Sequence, residues 1–274
     1  MHCNADVVIS CPSVPLFAIV GGMARYVRFE IAGAPRYGLI ENEVIDQLKG
    51  GLFELPERTG QQFALGDVKL LAPCVPPKIL AVGLNYKSHL GIRPAPVNPE
   101  MFYKPITSLQ NPGDPIELPP DSTDTHFEGE LVIVIGRHVR HASLEEARSA
   151  VFGVTCGNDV SERNWQRNTD RQWWRAKGCD TFAPLGPWIV TDLDYSDLAL
   201  ETRVNGQVMQ RQRTSDLIFD VPTVIEFVSR YVTLTPGDLI YTGTPGNTKK
   251  MAPGDVVEVE LEGIGILRNP VKAA

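Results

Sequence analysis

The run His126-Phe-Glu-Gly-Glu-Leu-Val-Ile-Val-Ile-Gly136 sets two carboxylates, Glu128 and Glu130, at the mouth of a continuously apolar segment. Leu131 to Ile135 reads as a strand buried on both faces. Side chains two apart share a face, so the two glutamates point the same way. Like charges there repel, and burial adds a desolvation cost. A divalent cation relieves both. Taken alone, an E-x-E pattern is more often an exposed strand end with solvated glutamates.

A second segment changes that balance. Val151-Phe-Gly-Val-Thr-Cys-Gly-Asn-Asp159 reads as a helix end and then a strand, and Val160-Ser-Glu-Arg-Asn-Trp-Gln166 reads as helical. Asp159, Arg163 and Gln166 then fall at i, i+4 and i+7 and share one helical face. An acid, a guanidinium and an amide so placed can hold an ion and a carboxylate together. The competing reading makes Asp159 a helix cap, because Asp159-x-x-Glu162 resembles a capping box. Pattern alone does not separate the two. All-oxygen ligation selects a hard cation, Mg²⁺ or Mn²⁺ with Ca²⁺ as a further candidate, over zinc.

Three other places carry chemistry-bearing side chains. Arg175-Ala-Lys-Gly-Cys-Asp-Thr181 puts Lys177 and Thr181 in a glycine-punctuated stretch before the buried-looking Phe182-Ala-Pro-Leu-Gly-Pro-Trp188. The turn Tyr241-Thr-Gly-Thr-Pro-Gly246 offers backbone N–H groups and the Thr244 hydroxyl to an anion, although alone it passes as a hairpin loop. His89, in Asn85-Tyr-Lys-Ser-His89, follows a strand end; a lone loop histidine is usually unremarkable.

The elements that position these residues are mostly strands. Residues 23–72 look like a small β-rich unit, in which Val27, Phe29 and Ile31 alternate with polar neighbours. Pro73, Pro76 and Pro77 form a stiff connector to the remainder, 73–274. There Lys78-Ile-Leu-Ala-Val82 reads as a buried strand. Pro-Gly-Asp turns at Pro112, Pro236 and Pro253 each precede an apolar or alternating run. Besides Val160–Gln166, two helices stand out. Ser143-Leu-Glu-Glu146 is a capping box, and Val221, Val224, Ile225 and Val228 form a helical stripe beginning near Pro222. The fold class is α+β with a β-dominated core.

Composition bounds the rest. The 274 residues allow one substantial core with a small appended unit. A net charge of −7 argues against a nucleic-acid partner, because phosphate binding needs clustered Lys and Arg. Five cysteines with no C-x-x-C pair make a disulfide framework or zinc knuckle a poor reading, and a reducing cytoplasm fits best. No apolar run reaches membrane-spanning length. Residues 1–22 read as an N-terminal extension and a poor signal peptide, broken by Pro12 and Pro15, which leaves both Met1 and Met23 open as the functional start.

Taken in order, Gly83–His89 (G-x-N-Y-x-x-H), Phe102–Pro105 (F-x-K-P), His126–Gly136, Asn158–Gln166, Ala176–Pro187 and Thr242–Pro245 (T-G-T-P) resemble the fumarylacetoacetate hydrolase superfamily. The resemblance covers nearly everything from Ile79 to Val271. It implies a twisted, multi-sheet β fold, a homodimer, and a metal held by Glu128, Glu130 and Asp159. It also implies substrate contacts from Arg163, Gln166 and Thr244, a catalytic Lys177, and Thr181 near the metal shell. Residues 23–72 would correspond to the small N-terminal domain of short bacterial members. In many members the loop histidine, here His89, is followed three residues later by a glutamate, and the pair activates water. This chain departs from that pattern with Ile92, in a Pro-rich segment unlike the usual lid helix.

The implied chemistry acts on a small 2-oxo acid through a metal-stabilised enolate. One enolate serves acylpyruvate hydrolysis, decarboxylation and isomerisation of hydroxydienedioates. Only hydrolysis needs an activated water, so losing the glutamate tilts the expectation toward isomerase or decarboxylase. The alternative is a non-catalytic, metal-stabilised binding protein of the same fold. The intact polar set argues against it.

Overall fold

The computed structural model describes residues 22–274. The reading of 1–22 as an extension falls, but for Gly22, outside the described residues. The architecture is strand-dominated α+β, as expected: a twelve-stranded sheet, a five-stranded sheet and a two-stranded ribbon.

At the centre of the large sheet lies Gly129–Ile135, with all seven residues buried. Its continuous apolar run has a direct cause. Leu131, Ile133 and Ile135 face a core shared with Leu200, Val259 and Leu267 of the five-stranded sheet and with the stripe Val221, Val224, Ile225 and Val228. Val132 and Val134 face the opposite core, with Tyr26, Leu48, Leu185 and Tyr241. A strand covered on both sides has no polar face.

Register carries the strand ends to one place. Gly129–Ile135 runs antiparallel to Val151–Asn158, with Gly129 opposite Asn158, and antiparallel to Leu239–Tyr241, with Val132 opposite Tyr241. Leu239–Tyr241 in turn runs parallel to Ile79–Gly83. The start of the first strand and the ends of the other three therefore meet at one edge of the sheet. The loops carrying Glu128, Asp159, Thr244 and His89 leave from that edge.

The strands of the N-terminal unit form an antiparallel meander, Arg25–Ile31, Ala34–Glu41, Val44–Leu48 and Arg58–Ala64. Arg25–Ile31 also pairs with Ala183–Val190, so the large sheet runs on without a break from this meander to the site-bearing strands. The helices expected at Ser143–Glu146 and along the Val221–Val228 stripe both form. Ser143 caps Leu144–Ser149 in a reciprocal box with Glu146. Asp220 caps Val221–Ser229 by accepting the Thr223 N–H, with Pro222 in the first turn.

The helix expected over Val160–Gln166 begins only at Arg163. Ser161–Glu162 pairs with Thr125–His126 as the two-stranded ribbon, and the turn after it, Trp165–Thr169, is π-helical. The buried Glu162 carboxylate accepts the N–H groups of Asp124 and Asn164 and the Thr125 hydroxyl. Committed to that loop, it cannot box a cap at Asp159. The i, i+4, i+7 spacing was therefore the wrong geometry for residues that do converge.

Among the described residues no helix is long and apolar enough to cross a membrane. Cys74, Cys156 and Cys179 are free. Burial pushes the Cys74 and Cys156 thiols up to about 12, which removes both as nucleophiles near neutrality.

Candidate active site

Glu128 stands one residue before the central strand, Glu130 is its second residue, and Asp159 follows the last residue of the neighbouring strand. Cross-bonds fix this arrangement. The Asp159 N–H donates to the Glu128 carbonyl at 2.8 Å, and the Glu128 N–H donates to the Asn158 side chain at 2.8 Å. Oxygen atoms of the three carboxylates lie within 4.8 Å of one another. All three residues are buried, so the solvated-glutamate reading is excluded.

Cations surround two of the three. The Lys177 ammonium sits between Glu128 and Asp159, 2.5 Å from Asp159 Oδ2. Arg163 Nη2 pairs with Glu128. Lys104 Nζ donates to Asp159 Oδ1 at 2.6 Å and to the Lys177 carbonyl. Glu130 accepts the Gly243 N–H at 2.7 Å. The carboxyl groups separate accordingly. Burial pushes Glu128 up, but Arg163, Lys177 and His89 together hold it well below the usual carboxylate range. Burial, then Asp159 and Glu128, push Glu130 well above it. For Lys177, burial is outweighed by Asp159 and Glu128, and its pKa is raised. For Lys104 burial wins, and its pKa falls.

This donor set fits a hard divalent cation. Three buried carboxylates offer only oxygen, and Glu130 has no counter-cation of its own to ionise against. A cation at their centre would supply that charge.

Lys104 went unread as a site residue in the sequence, although its F-x-K-P segment stood out. Its role depends on a partner 55 residues away. Lys104→Met should destabilise the metal-free protein by roughly 3–5 kcal/mol, because it leaves Asp159 buried without one of its counter-charges. The loss should shrink in saturating Mn²⁺, where the ion takes over that charge. Urea melts in EDTA and in Mn²⁺ read the difference, and equal losses in both would separate Lys104 from the metal site.

The Thr242–Pro245 turn serves the protein's own anion. Gly243, at φ +104°, sits where a Cβ would come within 2.8 Å of Asn85 Cβ, so only glycine lets its N–H reach Glu130. Thr244 Oγ1 donates to the Gly129 carbonyl at 2.9 Å and accepts from Gln210 at 2.8 Å. Thr244 lines the cleft, but its hydroxyl proton is already in use.

His89 answers the question left by Ile92. Its Nδ1 lies 2.6 Å from the Gly246 carbonyl, which can only accept, so Nδ1 carries the proton and Nε2 presents a lone pair. Nε2 faces the site, 3.7 Å from Glu128 Oε1. A backbone carbonyl thus orients the ring without a glutamate, and the Ile92 side chain is exposed. Burial is the largest influence on His89, and its pKa falls below 6.5.

Gln166 accepts from Arg163 Nη1 at 2.7 Å, and the buried Arg163 Nε has no partner among the described residues. Thr181 is not gathered in. Its hydroxyl accepts the Glu117 N–H at 2.9 Å, and its backbone turns at φ +69°. Thr181 is not among the residues lining the cleft. The cleft, about 600 Å³ with its open mouth, is also lined by Trp173, Arg93 and Arg167, none of which the sequence patterns singled out.

Residues 78–272 match the fumarylacetoacetate (FAA) hydrolase C-terminal family. The chain belongs to the fumarylacetoacetate hydrolase family. Residues 24–73 match a second family, described as Rv2993c-like, N-terminal. Protein Rv2993c of Mycobacterium tuberculosis is 49% identical over 225 residues, 80% of this chain and 84% of that protein. Among solved structures, 5-carboxymethyl-2-hydroxymuconate delta-isomerase from Mycobacterium smegmatis superposes with a TM-score of 0.87 at 46% identity, over 91% of this chain and 100% of that one. Maleylpyruvate hydrolase from Sphingobium sp. SYK-6, solved with manganese(II) and pyruvate, gives 0.78 at 28% identity, over 91% and 99%. This family member thus has both an isomerase and a hydrolase among the proteins it resembles.

Proposed function

We propose that this chain is a divalent-metal-dependent enzyme that moves the proton at C3 of a small 2-oxo acid, with isomerisation or tautomerisation its main reaction. The observation that carries this is the lone pair of His89 Nε2, aimed at a buried three-carboxylate cluster by a backbone carbonyl. Glu128, Glu130 and Asp159 would hold Mg²⁺ or Mn²⁺. When bound, the ion supplies positive charge against the negative charge that develops on the oxygen at C2.

The chain's own groups do the rest. Arg163, with Nε unpartnered, and the Lys177 ammonium offer positive charge to the substrate carboxylate and to the oxygen at C2. Neutral His89 takes the C3 proton at Nε2 and returns it at a second carbon in isomerisation, or to the oxygen at C2 in tautomerisation. The Nδ1 bond to Gly246 keeps the tautomer fixed through the exchange. Hydrolysis of an acylpyruvate would need the same ring to deprotonate a water, with no side-chain carboxylate behind it.

The test is solvent exchange. Mg²⁺-loaded protein in D₂O should exchange the C3 protons of 2-oxobutanoate, read by proton NMR, and EDTA should stop it. A protein that binds the acid without exchanging it is the non-catalytic binding protein instead. The pH dependence has a definite sign. The base works unprotonated, so kcat/KM should stay level through neutrality and fall about tenfold per pH unit once pH drops below the lowered pKa of His89. An acidic limb beginning above pH 7 would contradict the assignment.

A further inference from the structure

His126 opens the run that carries Glu128 and Glu130, yet it belongs neither to the carboxylate cluster nor to the cleft wall. Its ring is held at both nitrogens. Nε2 lies 2.9 Å from Asp124 Oδ1, and Nδ1 lies 2.8 Å from Thr248 Oγ1. Thr248 Oγ1 in turn accepts from Arg163 Nη2 at 3.1 Å. Backbone pairing fixes the segments that carry these groups. The Arg163 N–H donates to the Asp124 carbonyl at 2.9 Å, His126 bridges Lys250, and the Met251 N–H donates to the Thr125 carbonyl at 2.8 Å.

One proton assignment satisfies the whole chain of bonds. A carboxylate only accepts, so His126 carries its proton on Nε2 and leaves Nδ1 as a lone pair. The Thr248 hydroxyl therefore donates to Nδ1, and its oxygen is left to accept from the guanidinium. Arg163 is held at two further points, Nη2 by Glu128 and Nη1 by Gln166. Glu128 alone would draw both Nη2 protons toward the carboxylate cluster; Thr248 takes one of them the other way. A planar fork gripped by three acceptors has little freedom to turn. Glu128 and Gln166 line the cleft themselves, whereas Thr248 grips the guanidinium from outside it. We propose that Thr248, backed by His126 and Asp124, is a positioning residue that holds Arg163 toward the substrate carboxylate. The proposal rests on the 2-oxo acid reading above and adds to it the residues that aim the carboxylate contact.

Calorimetry of 2-oxobutanoate on the Mn²⁺-loaded protein, paired with the C3 exchange rate at saturating acid, tests it. T248V keeps the side-chain shape and removes the acceptor. It should weaken 2-oxobutanoate binding by roughly tenfold, the usual yield of a hydrogen bond to a charged group. The substrate carboxylate keeps its charge through the proton transfer, so the saturated rate should stay within about threefold of wild type. T248S, which retains the hydroxyl, should restore the affinity. H126F should weaken binding in the wild type and add nothing in the T248V background, because His126 acts through the hydroxyl. Thr248 is half-buried, so the thermal midpoint of T248V should hold, and Mn²⁺ affinity with it. An unchanged 2-oxobutanoate Kd in T248V would overturn the positioning role. So would a joint fall in saturated rate and thermal midpoint that T248S fails to restore, which marks a structural turn residue. Additive losses in the double variant would overturn the part given to His126. A wild type that does not bind 2-oxobutanoate would overturn the 2-oxo acid reading, and the positioning role with it.

Discussion

Glu130→Ala should abolish Mn²⁺ binding and all activity while leaving the fold in place. Glu130 is the carboxylate with the least support. It is buried, accepts a backbone N–H, and lies within reach of two further acids. Removing it leaves the Gly243 N–H unpaired, at a cost of about 1–3 kcal/mol. It also removes the repulsion that raises its own pKa, and these effects oppose one another. Glu130→Gln isolates the charge, because the amide oxygen can still accept from Gly243. The pH dependence of stability in EDTA gives an independent check. A carboxyl whose folded pKa lies above its unfolded value contributes stability below the unfolded value and loses it as pH rises through the folded one. The metal-free wild type should therefore shed that contribution as pH rises, and Glu130→Gln should not. Manganese titration followed by EPR reads the binding. Wild-type turnover that survives exhaustive EDTA treatment would sink the metal assignment.

His89→Ala should lower kcat by roughly 10²–10⁴-fold, the usual range for a general base, with Mn²⁺ affinity unchanged. His89 touches Glu128 only at 3.7 Å, so its loss removes no ligand. Reactions should suffer unequally. Proton exchange at C3 and acylpyruvate hydrolysis each need the base, whereas decarboxylation loses CO₂ without a proton abstraction and should fall less. The acidic limb of the pH profile should disappear with the ring. Equal, small losses on every substrate would make His89 a structural loop residue held by Gly246.

Much of the site was legible because it is local. Glu128 and Glu130 share a strand face whose apolar continuation announces double burial, and Asp159 ends the adjacent strand. The capping residues Ser143 and Asp220 could be read for the same reason. What could not be read depends on distant partners. The helical phase given to Asp159, Arg163 and Gln166 failed because Glu162 is bound by Asp124 and Thr125 from another segment, a preference no window around Glu162 contains. Lys104 looked like any lysine beside a proline until Asp159 was found against it. The orienter of His89 is a backbone carbonyl, which has no sequence signature at all. Thr181 lay close to the site in sequence and points its hydroxyl at Glu117 instead.

The partners that finish the site lie far apart in the chain: His89 and Gly246 by 157 residues, Glu130 and Gly243 by 113. A ribosome releases the chain from its N-terminus. The nascent polypeptide therefore displays all three clustered carboxylates while Leu239–Tyr241 is still unmade, and the edge of Gly129–Ile135 that this strand covers stays bare. A bare apolar edge recruits other strands. Chains that terminate before Leu239 are thus expected to be aggregation substrates, and the carboxylate cluster is completed only in the last stretch of synthesis.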